Sequence, residues 1–128
     1  MLAYFLGDPE NGAAFIDRAL VLNPNLAAAW TYSGWVRTFL GQHELALEHF
    51  ARSIRLSPLD PFMFSAQNGI AFVHFFDGVY DKASSWAKTA LQESPNSRAA
   101  LRIDAASNAL AGRLEDAQKA MARLLEID

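Results

Sequence analysis

Repetition is the first property of this sequence, and it predicts an all-α chain folded as a solenoid of antiparallel helix pairs. Three series of residues recur in step: glycines at Gly7, Gly41, Gly78 and Gly112, small residues at Gly12, Ala46, Ala83 and Ala117, and prolines at Pro24, Pro58 and Pro95. Each series advances by 34 residues, except across the region between Pro58 and Gly78, where the step is 37. A shared offset in three series is an insertion within one repeat, and a period of this length is that of stacked two-helix units. Each proline closes a second helix, because it lacks an N–H and disfavours helical geometry in the residue before it. Each glycine permits the tight reversal between antiparallel neighbours.

Taken in order, the chain divides into a partial repeat over 1–26, a full repeat over 27–60, a repeat with three extra residues over 61–97 and a last repeat over 98–128. Residues 2–6 match only the last turns of a first helix, so the start reads as a truncation. Asp8 is a suitable N-cap and Pro9 a suitable first helical residue for a helix over 9–22, whose apolar stripe is Ala13, Ile16, Ala19 and Leu20. The full repeat predicts helices over 26–40 and 43–56. The second of these carries Ala46, Phe50, Ser53 and Ile54 on one side and Glu44, Glu48, Arg52 and Arg55 on the other. The first is apolar on more than one face, with Trp30, Tyr32, Trp35, Val36 and Phe39. Such a helix is either buried on several sides or presents a binding surface.

In the third unit, Asp60 caps and Pro61 begins a helix running to Phe76. Three residues fall short of a turn of about 3.6, so an unbroken insertion rotates the helix face by about 60 degrees. Either the preceding loop or a bulge in the helix absorbs the slip. Counting back from Gly78 places Gln67 in the role of Trp30, whereas counting from Pro58 places Phe64 there. Helices over 80–92, 97–111 and 113–127 complete the series.

The stretch from Ala27 to Asp60 resembles the tetratricopeptide (TPR) repeat. Trp30, Gly34, Gly41, Ala46, Phe50 and Pro58 occupy that family's aromatic, small, inter-helix glycine, small, aromatic and proline positions. Ser33, Arg37 and Ser53 depart from it, standing where Leu, an aromatic and Ala are usual. The resemblance implies a TPR-type antiparallel helix-pair solenoid, a right-handed superhelix of about three and a half repeats. Solenoid units bury their faces only against neighbours. Neither end carries a polar capping helix, so self-association through the ends, or a larger parent protein, is expected.

Composition narrows the function classes. The chain has 128 residues, 52% of them apolar and 20% charged, which suffices for one soluble globular domain. Its formal charge of −3 offers no broad attraction for nucleic acid or an anionic membrane. No apolar run approaches a membrane span, and the opening MLAYFLG lacks the basic region of a signal peptide. The absence of cysteine removes disulfides, thiolate metal sites and a cysteine nucleophile. A cytoplasmic location is expected.

Chemistry-bearing residues are few. His43 and His49 lie six residues apart in HELALEH, not at the i, i+4 spacing that puts two ligands on one helix face. Exposed helix charge explains them better than a metal site. His74, among Phe72, Phe75 and Phe76, reads as a packing residue. Glu44 and Glu48 share a face as ordinary surface residues do. No nucleophile, base and orienter assemble, so no catalytic residue, cofactor or metal is expected.

What remains is a surface. The TPR resemblance implies a concave groove lined by first helices, and its positions, counted from the glycines, are Thr31, Trp35, Thr38 and Phe39 in the full repeat. They are Asn68, Phe72 and Phe75 in the third unit and Arg102 in the last. The aromatics among these either bind a protein or peptide ligand or pack between units. The family's carboxylate clamp is poorly matched, since Thr31 and Trp35 stand where Lys and Asn are expected. Nearly the whole chain, through GAAFIDRALVLNPNLAAAW, SGWVRTFLG, RLSPLDPF and ALAGRLEDAQKAMARL, also resembles the TPR region C-terminal to the catalytic domain of bacterial, rhizobial-type class III adenylate/guanylate cyclases. That likeness implies a regulatory interaction module of a signalling protein. The alternatives are a self-associating scaffold and, less well supported, a small metal-dependent enzyme.

Overall fold

The computed structural model describes residues 9–60 and 63–127. The described residues form seven helices and no strand: α1 (Pro9–Leu22), α2 (Ala27–Phe39), α3 (His43–Leu56), α4 (Met63–Phe76), α5 (Tyr80–Glu93), α6 (Arg98–Leu110) and α7 (Leu114–Glu126). The chain is a TPR-type solenoid of antiparallel helix pairs. The helix remnant over 2–6, Gly7, the Asp8 cap and the helix start at Pro61 lie outside the described residues.

The repeated glycines act through a left-handed backbone. Gly41, Gly78 and Gly112 have φ of +77, +77 and +85 degrees. At the first, Gly41 N–H donates to the Thr38 carbonyl at 3.1 Å and Gln42 N–H reaches back to the Arg37 carbonyl at 2.9 Å. This paired closure satisfies two of the carbonyls a helix end leaves open. Val79 N–H to His74 and Arg113 N–H to Asn108 repeat it at 2.9 and 2.8 Å. One local geometry therefore sets the reversal in three successive units.

The three-residue insertion leaves α4 unbroken from Met63 to Phe76. It is absorbed ahead of Met63, and the helix keeps the register counted from Gly78, which places Gln67 in the role of Trp30. Seven residues of α4 are buried, from Ala66 to Ala71 without a gap and then Val73. A helix buried over six consecutive residues is covered on every side there and belongs in the centre of its layer.

Helix contacts define two layers. Successive first helices touch, α2 with α4 and α4 with α6, while the second helices α1, α3, α5 and α7 touch only first helices. The closer-spaced layer is the inside of the curve. At its heart Phe50, fully buried on α3, lies between two glycines. A Cβ on Gly34 of α2 or on Gly69 of α4 would run into its ring. Around it gather Ala46, Ala66, Ile70 and Val73, with Trp35 edge-on at 5.5 Å between ring centres.

The interface between α5 and α6 holds a polar network beside the apolar contacts of Ala83, Ala87 and Ile103. Asp104 accepts from Ser84 Oγ at 2.9 Å and from Asn108 Nδ2 at 2.8 Å, and Asn108 Oδ1 accepts from Arg113 Nε at 2.7 Å. Asp104 and Asn108 are buried, and each is held by the partners a buried polar group requires.

The Phe50 slot carries a direct test. Phe50→Ala should cost about 3–5 kcal/mol in urea unfolding. Gly69→Ala should also destabilise, by about 1–3 kcal/mol of overpacking against a helix-propensity gain of about 1. Combining Gly69→Ala with Phe50→Leu should cost less than the two changes separately. Strict additivity would show that glycine and ring are not in contact.

Candidate protein-interaction groove

Helical spacing puts Thr31, Trp35 and Phe39 in one row along α2, at i, i+4 and i+8. On α4 the facing row is Ser65, Phe72 and Phe76. The rows meet at Trp35, whose Nε1 donates to Ser65 Oγ at 3.3 Å and whose ring lies 5.7 Å from that of Phe72. Phe72 is 6.4 Å from Phe39 and 4.6 Å from Phe76. Trp35 and Phe72 are half-buried, whereas Phe39 is 51% and Phe76 62% exposed. The C-terminal halves of α2 and α4 thus carry a run of aromatic rings whose outer members face solvent.

The N-terminal halves of the same helices contribute hydroxyls instead, from Thr31, Tyr32 and Ser65. Between them and the end of α3 lies a cavity of about 210 Å³ bordered by Thr31, Ser53, Ser57, Asp60 and Ser65, with Tyr32, Ala28 and Met63 completing its wall. Thr31 Oγ1 and Ser53 Oγ are 2.6 Å apart, and Ser53 Oγ donates to the Ala27 carbonyl at 2.8 Å.

The eight expected groove positions do not form one site. Thr31, Trp35, Phe39 and Phe72 come together. Phe75 stands at the margin, 5.9 Å from Tyr80 on α5 and 5.5 Å from Phe76. Arg102 is exposed on α6, beside an apolar face shared with α7. Thr38 and Asn68 are inside the protein. The Thr38 hydroxyl donates to the Gly34 carbonyl of its own helix at 2.8 Å, and Asn68 Nδ2 donates to Ser97 Oγ at 3.3 Å. Both are buried; the spacing fixes their position along a helix but not what covers them. Phe76 escaped the sequence reading, although it follows Phe72 by one turn and so shares its face. Ser53, Ser57 and Asp60 escaped it too, since a second helix and a loop supply them.

The histidines are structural. His43 Nδ1 is 2.7 Å from Asp77 Oδ1 of the next unit. His49 Nδ1 is 2.6 Å from Ser33 Oγ, and its ring sits edge-on to Trp30 at 4.8 Å. Ser33 is sealed from solvent, so this pair offers no nucleophile. Among the described residues no group of three or more His, Asp or Glu side chains could hold a metal. No helix there is long and apolar enough to cross a membrane. Burial lowers the pKa of His49 below 6.5, with Arg37 adding to the effect, and burial with Lys82 does the same for His74.

Solved structures share the fold. A MamA crystal structure superposes with a TM-score of 0.82 over 92% of this chain and 63% of its own, at 19% identity. MamA from Desulfovibrio magneticus RS-1, residues 41 to the end, gives 0.82 over 95% and 67%, at 20% identity. A MamA point mutant gives 0.77 over 99% and 73%, at 23% identity. The chain thus spans about two thirds of the length of these proteins. No family model matches the chain, and no curated protein matches its sequence.

Depressed histidine pKa values link folding to pH. The folded state holds fewer protons than the unfolded chain once pH falls below about 6.5, so this stability is complete above that pH and is lost as pH drops towards the folded values. The urea midpoint should fall between pH 7.5 and pH 5.5, and His49→Gln should flatten the decline. Parallel declines in both proteins would show that His49 takes no part.

Proposed function

We propose that the chain is a protein-interaction module whose groove, on the first-helix layer, binds an extended peptide segment of a partner. The observation that carries this reading is the solvent-facing aromatic run Phe39, Phe72 and Phe76 backed by Trp35. Clustered aromatics supply most of the binding energy in protein interfaces, and no other feature of the described residues offers chemistry to a small substrate. The four units assigned to residues 1–26, 27–60, 61–97 and 98–128 form one domain in this reading. Phe75 and Arg102 belong to the rim. Service to a nucleotide cyclase rests on sequence likeness alone; a gene with no cyclase domain in frame would remove it.

Phe39 and Phe76 separate binding from folding, because their rings are largely exposed. Peptides selected from a random display library on the wild-type protein should bind Phe39→Ala and Phe76→Ala about tenfold more weakly, measured by Trp fluorescence. Thermal midpoints should stay close to wild type. Undiminished binding by both variants would sink the groove.

A second reading, self-association, is favoured by a specific surface. Ala106, Leu114, Met121, Ala122 and Leu125 form an exposed apolar face on α6 and α7, bordering a hollow of about 540 Å³. In the repeat register these positions correspond to Trp35, His43, Phe50, Ala51 and Ile54, three of which, Trp35, Phe50 and Ile54, pack in one cluster with Ala66, Ile70 and Val73 of α4. The face therefore has the form that receives another first helix, and a second copy can supply it. Sedimentation velocity should show association that Leu125→Glu abolishes. A wild-type monomer at high concentration would end this reading without touching the groove.

A further inference from the structure

The cavity at the N-terminal end of the groove has a polarity that follows from counting protons. A hydroxyl has one proton to donate. The Ser53 proton is taken by the Ala27 carbonyl, which can only accept, so the 2.6 Å contact between Ser53 and Thr31 must be carried by the Thr31 proton. Both hydroxyls have thus spent their donors within the protein. What they turn to the cavity they line is lone pairs. The carboxylate of Asp60 brings negative charge to the same wall, and among the described residues bordering the cavity there is no lysine, arginine or histidine. Ser57, Ser65 and Tyr32 have hydroxyls that turn to suit a neighbour.

The lone pairs of Thr31 and Ser53 and the Asp60 carboxylate suit a group that donates. The remaining hydroxyls can turn to accept from it, and Ala28 and Met63 offer apolar surface to its stem. Lysine ammonium and arginine guanidinium are the two side-chain groups with several donors, no acceptor and a positive charge. Size points the same way. The cavity, about 210 Å³, is smaller than the roughly 300–1,000 Å³ of small-molecule sites, yet several times the ~30 Å³ share of one water. It has room for one long side chain.

We propose that this cavity is a subsite for a single cationic side chain, arginine or lysine, of an extended peptide whose apolar side chain lies on Phe39, Phe72 and Phe76. The spacing follows from helix geometry. Thr31 and Phe39 are eight residues apart on α2, about 12 Å along its axis. An extended chain advances about 3.3 Å per residue, so the cationic and apolar side chains stand three to four positions apart. The inference rests on the groove reading and adds to it the chemistry of the partner.

The test uses the full chain and four acetylated, amidated pentapeptides, with phenylalanine last, three glycines between, and arginine, lysine, citrulline or norleucine first. Affinity is measured by Trp fluorescence, and ¹⁵N–¹H spectra locate each contact. The arginine or lysine peptide should bind about tenfold tighter than the citrulline and norleucine peptides, the scale of a charge-assisted hydrogen bond, and should shift the amides of Thr31, Ser53 and Ser57. Asp60→Asn and, separately, Thr31→Val should erase that preference, so that each variant binds the arginine and lysine peptides no more tightly than it binds the norleucine peptide. Phe76→Ala should weaken all four peptides alike and leave the preference intact. Equal affinity for all four, with shifts confined to the aromatic residues, would overturn the subsite and leave the groove standing. Shifts at neither end would remove both. Having two pocket variants guards against one of them failing to fold.

Discussion

A single ring sets the distances in this protein. Phe50 is held between Gly34 and Gly69, and because neither neighbour has a Cβ, α3 approaches both first helices more closely than side chains would otherwise allow. The ring is fully buried, so burial, dispersion and shape act on it together. Trp35 then has its position fixed from behind by Phe50. Its front edge meets Phe72, and its indole N–H meets Ser65. The geometry of the groove is thus decided one layer below its surface.

Most of the fold was legible in the sequence because the repeat signals act locally. A glycine in left-handed geometry and a proline after a helix mark ends wherever they stand, and, the start at Pro61 aside, the helices begin and end within about a residue of where the spacing put them. The insertion was legible in size but not in place, since a loop and a bulge alter the spacing equally. The unbroken α4 and its register with Gly78 locate it ahead of Met63. The site was less legible. Periodicity states that Thr38 and Asn68 belong to first helices, but their burial depends on contacts made across the solenoid, as in the bond from Asn68 to Ser97. Asp104, Ser107 and Asn108 went unnoticed for the same reason. A buried carboxylate looks like a surface one until Ser84 and Asn108 are seen to satisfy it.

The directional bonds matter beyond stability. Thr31 and Ser53 depart from an apolar lining, and Ser53 stands where the TPR pattern usually has alanine. With alanine there, the Thr31 hydroxyl would have no Ser53 oxygen to receive its proton and would be free to donate outward. The serine turns that proton inward, so that at Thr31 the cavity wall presents a lone pair where it would otherwise present a donor. One oxygen atom on a second helix thereby alters what a surface made mainly by first helices can recognise.

The same repeat logic explains why such a surface is confined to one part of the chain. Carried by the period into α6, Thr31, Trp35 and Phe39 become Arg102, Ala106 and Leu110. The backbone positions are equivalent, yet the cation replaces an acceptor and the aromatic rings are gone. A partner chosen by apolar contact alone could lie anywhere along a solenoid and would slip from one unit to the next. The acceptor-lined cavity at α2 and the positive charge at α6 remove that freedom, since a cationic side chain is favoured at the first and repelled near the second. In the proposed groove, aromatic area is the source of binding energy, and the unequal charge of otherwise equivalent units is what sets the register.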